Sequence, residues 1–299
     1  MDLKHISETK KVTWIGLVIN LSLSGLKLLF GLVGKSNALI ADAVHSLSDL
    51  VTDFAVLIGV EYWSKPPDDR HPYGHRRIET LVSAAIGIAL LLVAVGLAYD
   101  ALQELSNEVM HQPQWIALCG ALLSIFFKEA LYRWTASTGK RIKSPALMAN
   151  AWHHRTDALS SIPVAIAIAA AAFEPQWAFI DPIGAFVVTL FIMHAAWKII
   201  HPALRELIDE GASEGVNQQI ADIATAVQGV ESVHAIRARR MGTMLHIDLH
   251  VMVDPQMSVL HGHQISHDVK RELLEQGPDV ADVIIHLEPF ESQQSNLQD

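Results

Sequence analysis

Long apolar segments dominate the first two-thirds of the chain, and a mixed polar pattern follows them. A helix that spans a membrane needs about 20 mostly apolar residues. Six segments reach this length and predict six transmembrane helices, at 12–34, 38–62, 78–101, 113–135, 146–172 and 177–200. After Pro202 the composition changes, so we expect a membrane α-helical domain over 1–202, a soluble domain over 203–290 and a disordered polar tail over 291–299.

The pattern of the soluble part predicts the order helix–strand–strand–helix–strand. Residues 213–228 start with a serine cap and repeat with helical period. Two alternating runs, 231–240 and 243–253, predict a hairpin. A second amphipathic helix over 258–276 and a strand over 281–289 complete a small α+β domain with the αββαβ order of metallochaperone-like folds.

Composition and charge agree with a membrane protein. Only 18% of the residues are charged, whereas a soluble domain carries about a quarter. Lys and Arg concentrate at the N-terminus and in the loops after the second and fourth apolar segments. By the positive-inside rule, we expect both termini and the soluble domain of this multi-pass protein to lie in the cytoplasm. The lack of a targeting segment and of a His-rich loop between the fourth and fifth segments suggests a bacterial protein, and therefore the cell inner membrane. The net charge of −10, with no basic stripe, argues against binding to nucleic acid.

The second and fifth apolar segments each carry a histidine and an aspartate four residues apart. The pairs are His45 with Asp49 and His153 with Asp157. Residues four apart share one helix face, so two such helices can supply two nitrogens and two carboxylates to one tetrahedral zinc ion. Ionisable groups inside a membrane mark ion pathways by default, although interhelical hydrogen bonds or ion pairs are the alternative.

Other ionisable residues also interrupt the apolar segments. Asp42 and Asp53 lie near the face of the second-segment pair but lack a matching histidine, so we expect them to support the ligands, contact another helix or line the path. Snorkelling towards the interface, or a structural ion pair, accounts for Lys27, Lys128 and Glu129.

The loop after the second segment contains Asp68, His71 and His75. These residues are close enough in sequence to hold one metal ion. The alternative is a solvated charged loop that ends at the cap of the third helix.

These features together resemble the cation diffusion facilitator family. The loop "KPPDDRHPYGHRRIETL" is similar to a run of that family, P-x-D-x-x-H-x-[FY]-G-H, and "ALIADAVHSLSD" and "DPIGAF" resemble its signatures in helices two and six. The resemblance covers nearly the whole chain. It implies a homodimer in a lipid bilayer that exchanges a divalent metal ion for protons by alternating access, with one transport site formed by His45, Asp49, His153 and Asp157.

The resemblance also bears on the metal. The His-Asp/His-Asp set is similar to that of zinc-preferring members, whereas manganese-type members have a more oxygen-rich set. It further implies that bacterial members bind a metal at positions matching Asp68, His71 and His75, with a role in delivery.

The resemblance implies a binuclear zinc site in the cytoplasmic domain. Its members here would be His234, His250, His263, His286 and Glu288, with His250 as the bridging ligand. The family has Asp where this chain has Glu288. His246 and His261 remain open as substitute ligands or bystanders.

The family also forms a charge interlock near the membrane boundary, at positions matching Arg77 and Asp209. An ordinary surface ion pair is the alternative.

The sequence therefore predicts a Zn²⁺/proton antiporter that exports metal from the cytoplasm, and not an enzyme. The same mechanism with Co²⁺, Cd²⁺, Ni²⁺ or Fe²⁺ is the first alternative. A membrane metal sensor is an alternative from a different class. An intramembrane metallohydrolase would need an open metal position and a general base, and the chain has no His-Glu-x-x-His motif.

Overall fold

The structure is a computed structural model, and it describes residues 3–106, 111–142, 144–242 and 244–290. The side chains of 3–10, 52, 53, 56–58, 60 and 146 lie outside this description, as does the predicted tail 291–299. The chain divides into two compact units. The first comprises Met1–Gly59 and Ser83–Ile200, and the second comprises Val60–Val82 and His201–Asp299.

Six long helices follow the order predicted from the apolar segments. They are α1 Leu3–Val33, α2 Asn37–Trp63, α3 Arg77–Ser106, α4 Trp115–Arg141, α5 Pro145–Phe173 and α6 Ile180–Leu207, with one 3₁₀ turn before α6. Within the described residues, five of them are long and apolar enough to cross a membrane. The remaining helix, α2, is not among the five, and it contains several residues whose side chains lie outside the described part of the chain.

Small residues allow the helices of the first unit to approach closely. A Cβ atom added at Gly120 of α4 would lie 2.6 Å from the Phe30 ring of α1, and one added at Gly34 would lie 2.7 Å from Ala117. Such contacts between small residues drive helix association in membranes, where lipid competes for apolar surface. Any larger side chain at Gly120 would push α1 and α4 apart.

Local hydrogen bonds set the start of the two helices that carry the His-Asp pairs. The Ser144 hydroxyl accepts a hydrogen bond from the Leu147 N–H, and Pro145 occupies the first turn of α5. At the start of α2, the Ser36 hydroxyl likewise accepts a hydrogen bond from the Leu39 N–H at 3.1 Å, and Asp181 of α6 adds a second, non-local contact. Asp181 accepts hydrogen bonds from the Ser36 hydroxyl at 2.6 Å and from the Asn37 N–H at 2.7 Å.

The soluble part of the second unit is a three-stranded sheet with two helices on one face. Its elements are α7 Glu214–Thr225, β1 Ser232–Met241, β2 Met244–Val253, α8 Val259–Gln276 and β3 Val280–Pro289. The sheet order is β1-β2-β3, with β1 antiparallel and β3 parallel to β2. The predicted αββαβ order is confirmed.

Alternation along β2 separates the two faces of this sheet. Leu245, Ile247, Leu249 and Val251 are buried in one core with apolar residues of α7 and α8. The intervening residues of β2, including His246, Asp248 and His250, are only partly buried on the opposite face. The histidines of the sheet therefore lie on the face that the helices do not cover.

Candidate metal centres

The structure brings together three of the four side chains in the two helical His-Asp pairs. One ligand atom from each of Asp49, His153 and Asp157 lies within 4.8 Å of the others. His153 and Asp157 lie one turn apart on α5, and His153 Nδ1 is 3.7 Å from Asp157 Oδ1. His45 lies outside this group, about one turn and about 6 Å of rise before Asp49. Its buried Nδ1 has no hydrogen-bond partner among the described residues.

A buried lysine, Lys128, contacts this group, and sequence reasoning did not assign it to the group. Lys128 of α4 is 4% exposed, and its Nζ is 3.1 Å from Asp157 Oδ2 and 3.4 Å from the Ser46 hydroxyl. Snorkelling is therefore wrong for Lys128, and the alternative of a structural ion pair holds. Glu129, its neighbour, instead forms an i,i+4 pair with the exposed Arg133.

Lys27 extends the buried polar network to α1. Its side chain is fully buried, and its Nζ is 2.7 Å from Asp42 Oδ2. The Lys27 ammonium also donates to the hydroxyls of Ser46 and Ser161, at 3.2 and 3.0 Å. Asp42 therefore contacts another helix through an ion pair, which was one of the roles considered for it. The only sequence signal for this network was the lysines within apolar segments.

The loop between α2 and α3 folds its three predicted ligands around one carboxylate. Asp68 Oδ1 is 3.0 Å from His71 Nδ1, and Asp68 Oδ2 is 3.3 Å from His75 Nε2. The two imidazole rings are 4.3 Å apart. His75 is buried, and its Nδ1 lacks a hydrogen-bond partner in the described part of the chain. The three ligand atoms lie within 4.8 Å of one another, which is compact enough for one ion.

Backbone geometry prepares Asp68 for this role. The His71 N–H donates to Asp68 Oδ1 at 2.7 Å, and the Arg70 N–H donates to the same oxygen at 2.9 Å. The hydrogen bond from the His71 backbone lowers the pKa of Asp68, and contact with the His71 ring lowers it further. The carboxylate is therefore ionised, as a metal ligand must be.

Strand register brings histidines of all three strands side by side. His234 of β1 pairs with His250 of β2, and His250 pairs with His286 of β3. Glu288 lies two residues beyond His286, so it shares that face. Its carboxylate is 2.8 Å from His250 Nδ1, 3.2 Å from His234 Nε2 and 3.5 Å from His286 Nε2. His234, His250 and Glu288 form a group in which one ligand atom of each lies within 4.8 Å of the others.

His263 does not join this cluster within one chain. It belongs to α8, which packs on the apolar face of the sheet, whereas His250 lies on the opposite face. The His263 ring instead lies 4.6 Å from the His267 ring. His246 shares the face of His250 but lies near Tyr73, at 6.2 Å between ring centroids. Burial lowers the pKa of His246.

The residues of the predicted charge interlock are paired. The Arg77 guanidinium donates to the Asp209 carboxylate, and both side chains are more than a third exposed. A second contact beside it was missed by sequence reasoning. Glu206 Oε1 accepts hydrogen bonds from the Thr80 hydroxyl at 2.6 Å and from the Gly242 N–H at 2.7 Å. Because Gly242 has a φ of 63°, this hairpin turn favours glycine.

Comparison with known families identifies the chain. Residues 13–208 match the family model described as "Cation efflux transmembrane domain", and residues 212–290 match "Cation efflux protein, cytoplasmic domain". The chain belongs to the cation diffusion facilitator family of cation efflux proteins. The resemblance drawn from the sequence motifs is thus confirmed. Membership of this family makes the cation efflux protein a membrane transporter of metal ions.

Relatives of this cation efflux protein come from plants and bacteria. It is 35% identical to metal tolerance protein C1 of Arabidopsis thaliana over 94% of the present chain, but spans 63% of that relative's length. It is 31% identical to manganese efflux system protein MneP of Bacillus subtilis, over 94% and 96% of the two chains. It is 34% identical to magnetosome protein MamM of Paramagnetospirillum magneticum, over 88% and 82%.

Among solved structures, this cation efflux protein matches the C-terminal domain of MamM in its copper form. The identity is 27%, the TM-score is 0.26, and the match covers 27% of the present chain and 90% of the other.

Proposed function

We propose that this cation efflux protein exports Zn²⁺ from the cytoplasm across the inner membrane in exchange for protons, by alternating access. The observation that carries the proposal is the meeting of Asp49, His153 and Asp157 within 4.8 Å, on helices of the membrane domain. His45 is the proposed fourth ligand, and it would complete a tetrahedral shell of two nitrogens and two oxygens. A site with four protein ligands has no open position for hydrolysis, which argues against a metallohydrolase.

Proton exchange follows from the chemistry of these ligands. A metal ion binds the neutral imidazole and the ionised carboxylate, so protons compete with metal for the same atoms. Histidine is the side chain whose unperturbed pKa lies nearest physiological pH. When the site opens to the more acidic side, protonation weakens it and the metal leaves.

Mn²⁺ is a second candidate for the main cargo, and two observations favour it. The grouped ligands comprise two carboxylates and only one imidazole, since His45 lies outside the group. Carboxylate ligands suit Mn²⁺ better than soft ligands do. In addition, one relative of nearly equal length is named a manganese efflux system protein. Co²⁺, Cd²⁺, Ni²⁺ and Fe²⁺ remain further alternatives for the same mechanism.

The other two clusters have supporting roles in this proposal. The loop group of Asp68, His71 and His75 would capture metal on the cytoplasmic side and deliver it. The histidines on the open face of the sheet would bind metal between the soluble domains of a homodimer and favour its transport-competent form. The Arg77–Asp209 pair would act as the charge interlock of this dimer, with both termini in the cytoplasm.

Metal uptake into proteoliposomes tests the proposal. The purified protein is reconstituted, a pH gradient with an acidic interior is imposed, and entry of Zn²⁺, Mn²⁺, Co²⁺, Cd²⁺, Ni²⁺ and Fe²⁺ is followed with a trapped fluorescent chelator. Asp157→Ala removes one grouped carboxylate. Asp100→Ala, which changes an exposed aspartate on α3, is the matched control.

We expect gradient-driven uptake of Zn²⁺ by the wild type and by Asp100→Ala, and none by Asp157→Ala. A clear preference for Mn²⁺ would replace the cargo and keep the site. Normal uptake by Asp157→Ala would refute the site. If the wild type moves none of the six ions, the transport claim fails and a membrane metal sensor becomes the better explanation.

A further inference from the structure

Lys128 places a buried positive charge beside the proposed transport site. It lies on α4, which supplies none of the predicted ligands, and its side chain is 4% exposed. Its Nζ donates to Asp157 Oδ2 at 3.1 Å. A buried lysine is costly in a membrane and by default marks a functional position.

Lys128 and His153 contact different oxygens of Asp157. The His153 ring faces Oδ1 at 3.7 Å, whereas the Lys128 ammonium holds Oδ2. A carboxylate held in this way offers one oxygen to a metal ion and keeps the other for the lysine. Hydrogen bonds of this kind orient the ligands of metal sites.

The other charges of the buried network cancel one another, so the positive charge of Lys128 acts on the transport site. Lys27 is already paired with Asp42 at 2.7 Å, so these two charges cancel. Ser46 lies between the two ammonium groups and contributes no charge. With both carboxylates ionised, Asp49, Asp157 and Lys128 therefore carry a net charge of −1, and a bound divalent ion brings the sum to +1.

We propose that Lys128 is a fixed counter-charge of the transport site, which weakens metal binding so that the cargo can leave. It would also restrict Asp157 to one metal-binding oxygen. Without Lys128, the two carboxylates would neutralise a divalent ion and retain it. This inference rests on the proposed function only for the assignment of the transport site, and it concerns a positioning residue that does not touch the metal.

Metal affinity tests this inference without requiring transport. Lys128→Gln removes the charge, Lys128→Arg keeps it, and Lys140→Gln changes an exposed lysine of the same helix. Full-length protein in detergent is titrated with Zn²⁺ in competition with a fluorescent chelator. Each variant is compared with the same variant carrying Asp157→Asn, so that the difference reports the transport site alone.

We expect Lys128→Gln to bind Zn²⁺ at least about tenfold more tightly, because a like charge beside a divalent ion is lost from a poorly screened site. Lys128→Arg and Lys140→Gln should stay within about threefold of the wild type, because neither removes this charge. In proteoliposomes, Lys128→Gln should lower both KM and kcat, since metal is held but released slowly. A merely structural lysine would not produce this split.

Unchanged or weaker Zn²⁺ binding by Lys128→Gln would overturn the inference. If that variant does not give a monodisperse protein, a structure of the Zn²⁺-loaded wild type decides. Lys128 must still contact Asp157 Oδ2 while Oδ1 alone binds the metal, and a bidentate Asp157 with the lysine displaced would refute it. Tighter binding by Lys128→Gln in a protein that transports no metal would support the counter-charge and refute the proposed function.

Discussion

The ion pair between Lys27 and Asp42 gives a sharp test of the buried network. The lysine side chain is 0% exposed and the aspartate side chain 3%, and the two charged groups are 2.7 Å apart. Lys27→Met removes one partner and keeps most of the apolar stem. The Asp42 carboxylate then stays buried without its counter-charge, with the Ser161 hydroxyl at 3.2 Å as a neutral neighbour.

The expected cost is large because the remaining charge cannot reach water. Removal of one partner of a buried ion pair costs about 3–5 kcal/mol, whereas replacing both partners with neutral groups is often close to neutral. At about 2–4 °C for each kcal/mol in a domain of this size, that loss lowers the melting temperature by about 6–20 °C. The double variant Lys27→Met with Asp42→Asn leaves no buried charge and keeps an acceptor for Ser161. It should recover most of the loss.

Thermal stability in detergent measures both effects. Full-length protein is heated in steps, and the fraction that still elutes as a single species in fluorescence-detected size-exclusion chromatography is recorded. Lys11→Met is the matched control, because Lys11 is exposed on the same helix. The single variant should melt well below the control, and the double variant should melt close to it.

Two results would contradict this reasoning. If Lys27→Met melts with the control, the lysine charge is not needed in the buried network. If the double variant is as unstable as the single variant, the loss comes from packing or hydrogen bonds of Lys27, and the uncompensated Asp42 charge is not its cause.

Two further predictions concern the soluble part. Glu288→Gln weakens the group with His234 and His250, so the stabilisation free energy supplied by Zn²⁺ should fall by about 1.4 kcal/mol for each tenfold loss of affinity. The rise in melting temperature caused by Zn²⁺ should therefore shrink, whereas Glu275→Gln, exposed on α8, should keep the full rise. An unchanged rise in Glu288→Gln would exclude Glu288 as a ligand. Burial lowers the pKa of His246 in the folded protein below its value of about 6.5 in the unfolded chain. The neutral side chain therefore contributes its full stability at a pH above about 6.5, and this contribution is lost as the pH falls towards the pKa of the folded protein. The melting temperature of the metal-free full-length protein should therefore fall less between pH 7.5 and pH 5.5 in His246→Asn than in the wild type. An equal fall in both proteins would show that the lowered pKa of His246 does not contribute to acid destabilisation.

The order of elements followed from the sequence because one physical constraint dominates each part. In the first part, the apolar length needed to cross a bilayer set the positions of the long helices. Their ends were less predictable. For example, α3 extends to Ser106, whereas the apolar run predicted an end at 101, because polar residues can continue a helix beyond the hydrocarbon. In the second part, strict alternation identified the strands and their apolar face.

The candidate ligands could be predicted to a similar extent. Spacing of four residues placed His153 and Asp157 on one face, and their contact depends only on α5 itself. Membership of larger groups depends on neighbouring elements, which spacing does not encode. His263 illustrates this limit, because nothing in its own helix shows that α8 covers the face of the sheet opposite His250.

The buried lysines show the same limit with a consequence for mechanism. A lysine in an apolar segment can reach the interface or pair inside the domain, and its own sequence context is the same in both cases. The lysine pairs inside the domain when another helix places a carboxylate at the same depth in the membrane. Here α2 presents Asp42 to Lys27, and α5 presents Asp157 to Lys128. Because one of these two carboxylates is a proposed metal ligand and the other is not, the two lysines have different consequences. Neutralising Lys27 should mainly change stability, whereas neutralising Lys128 should mainly change metal affinity.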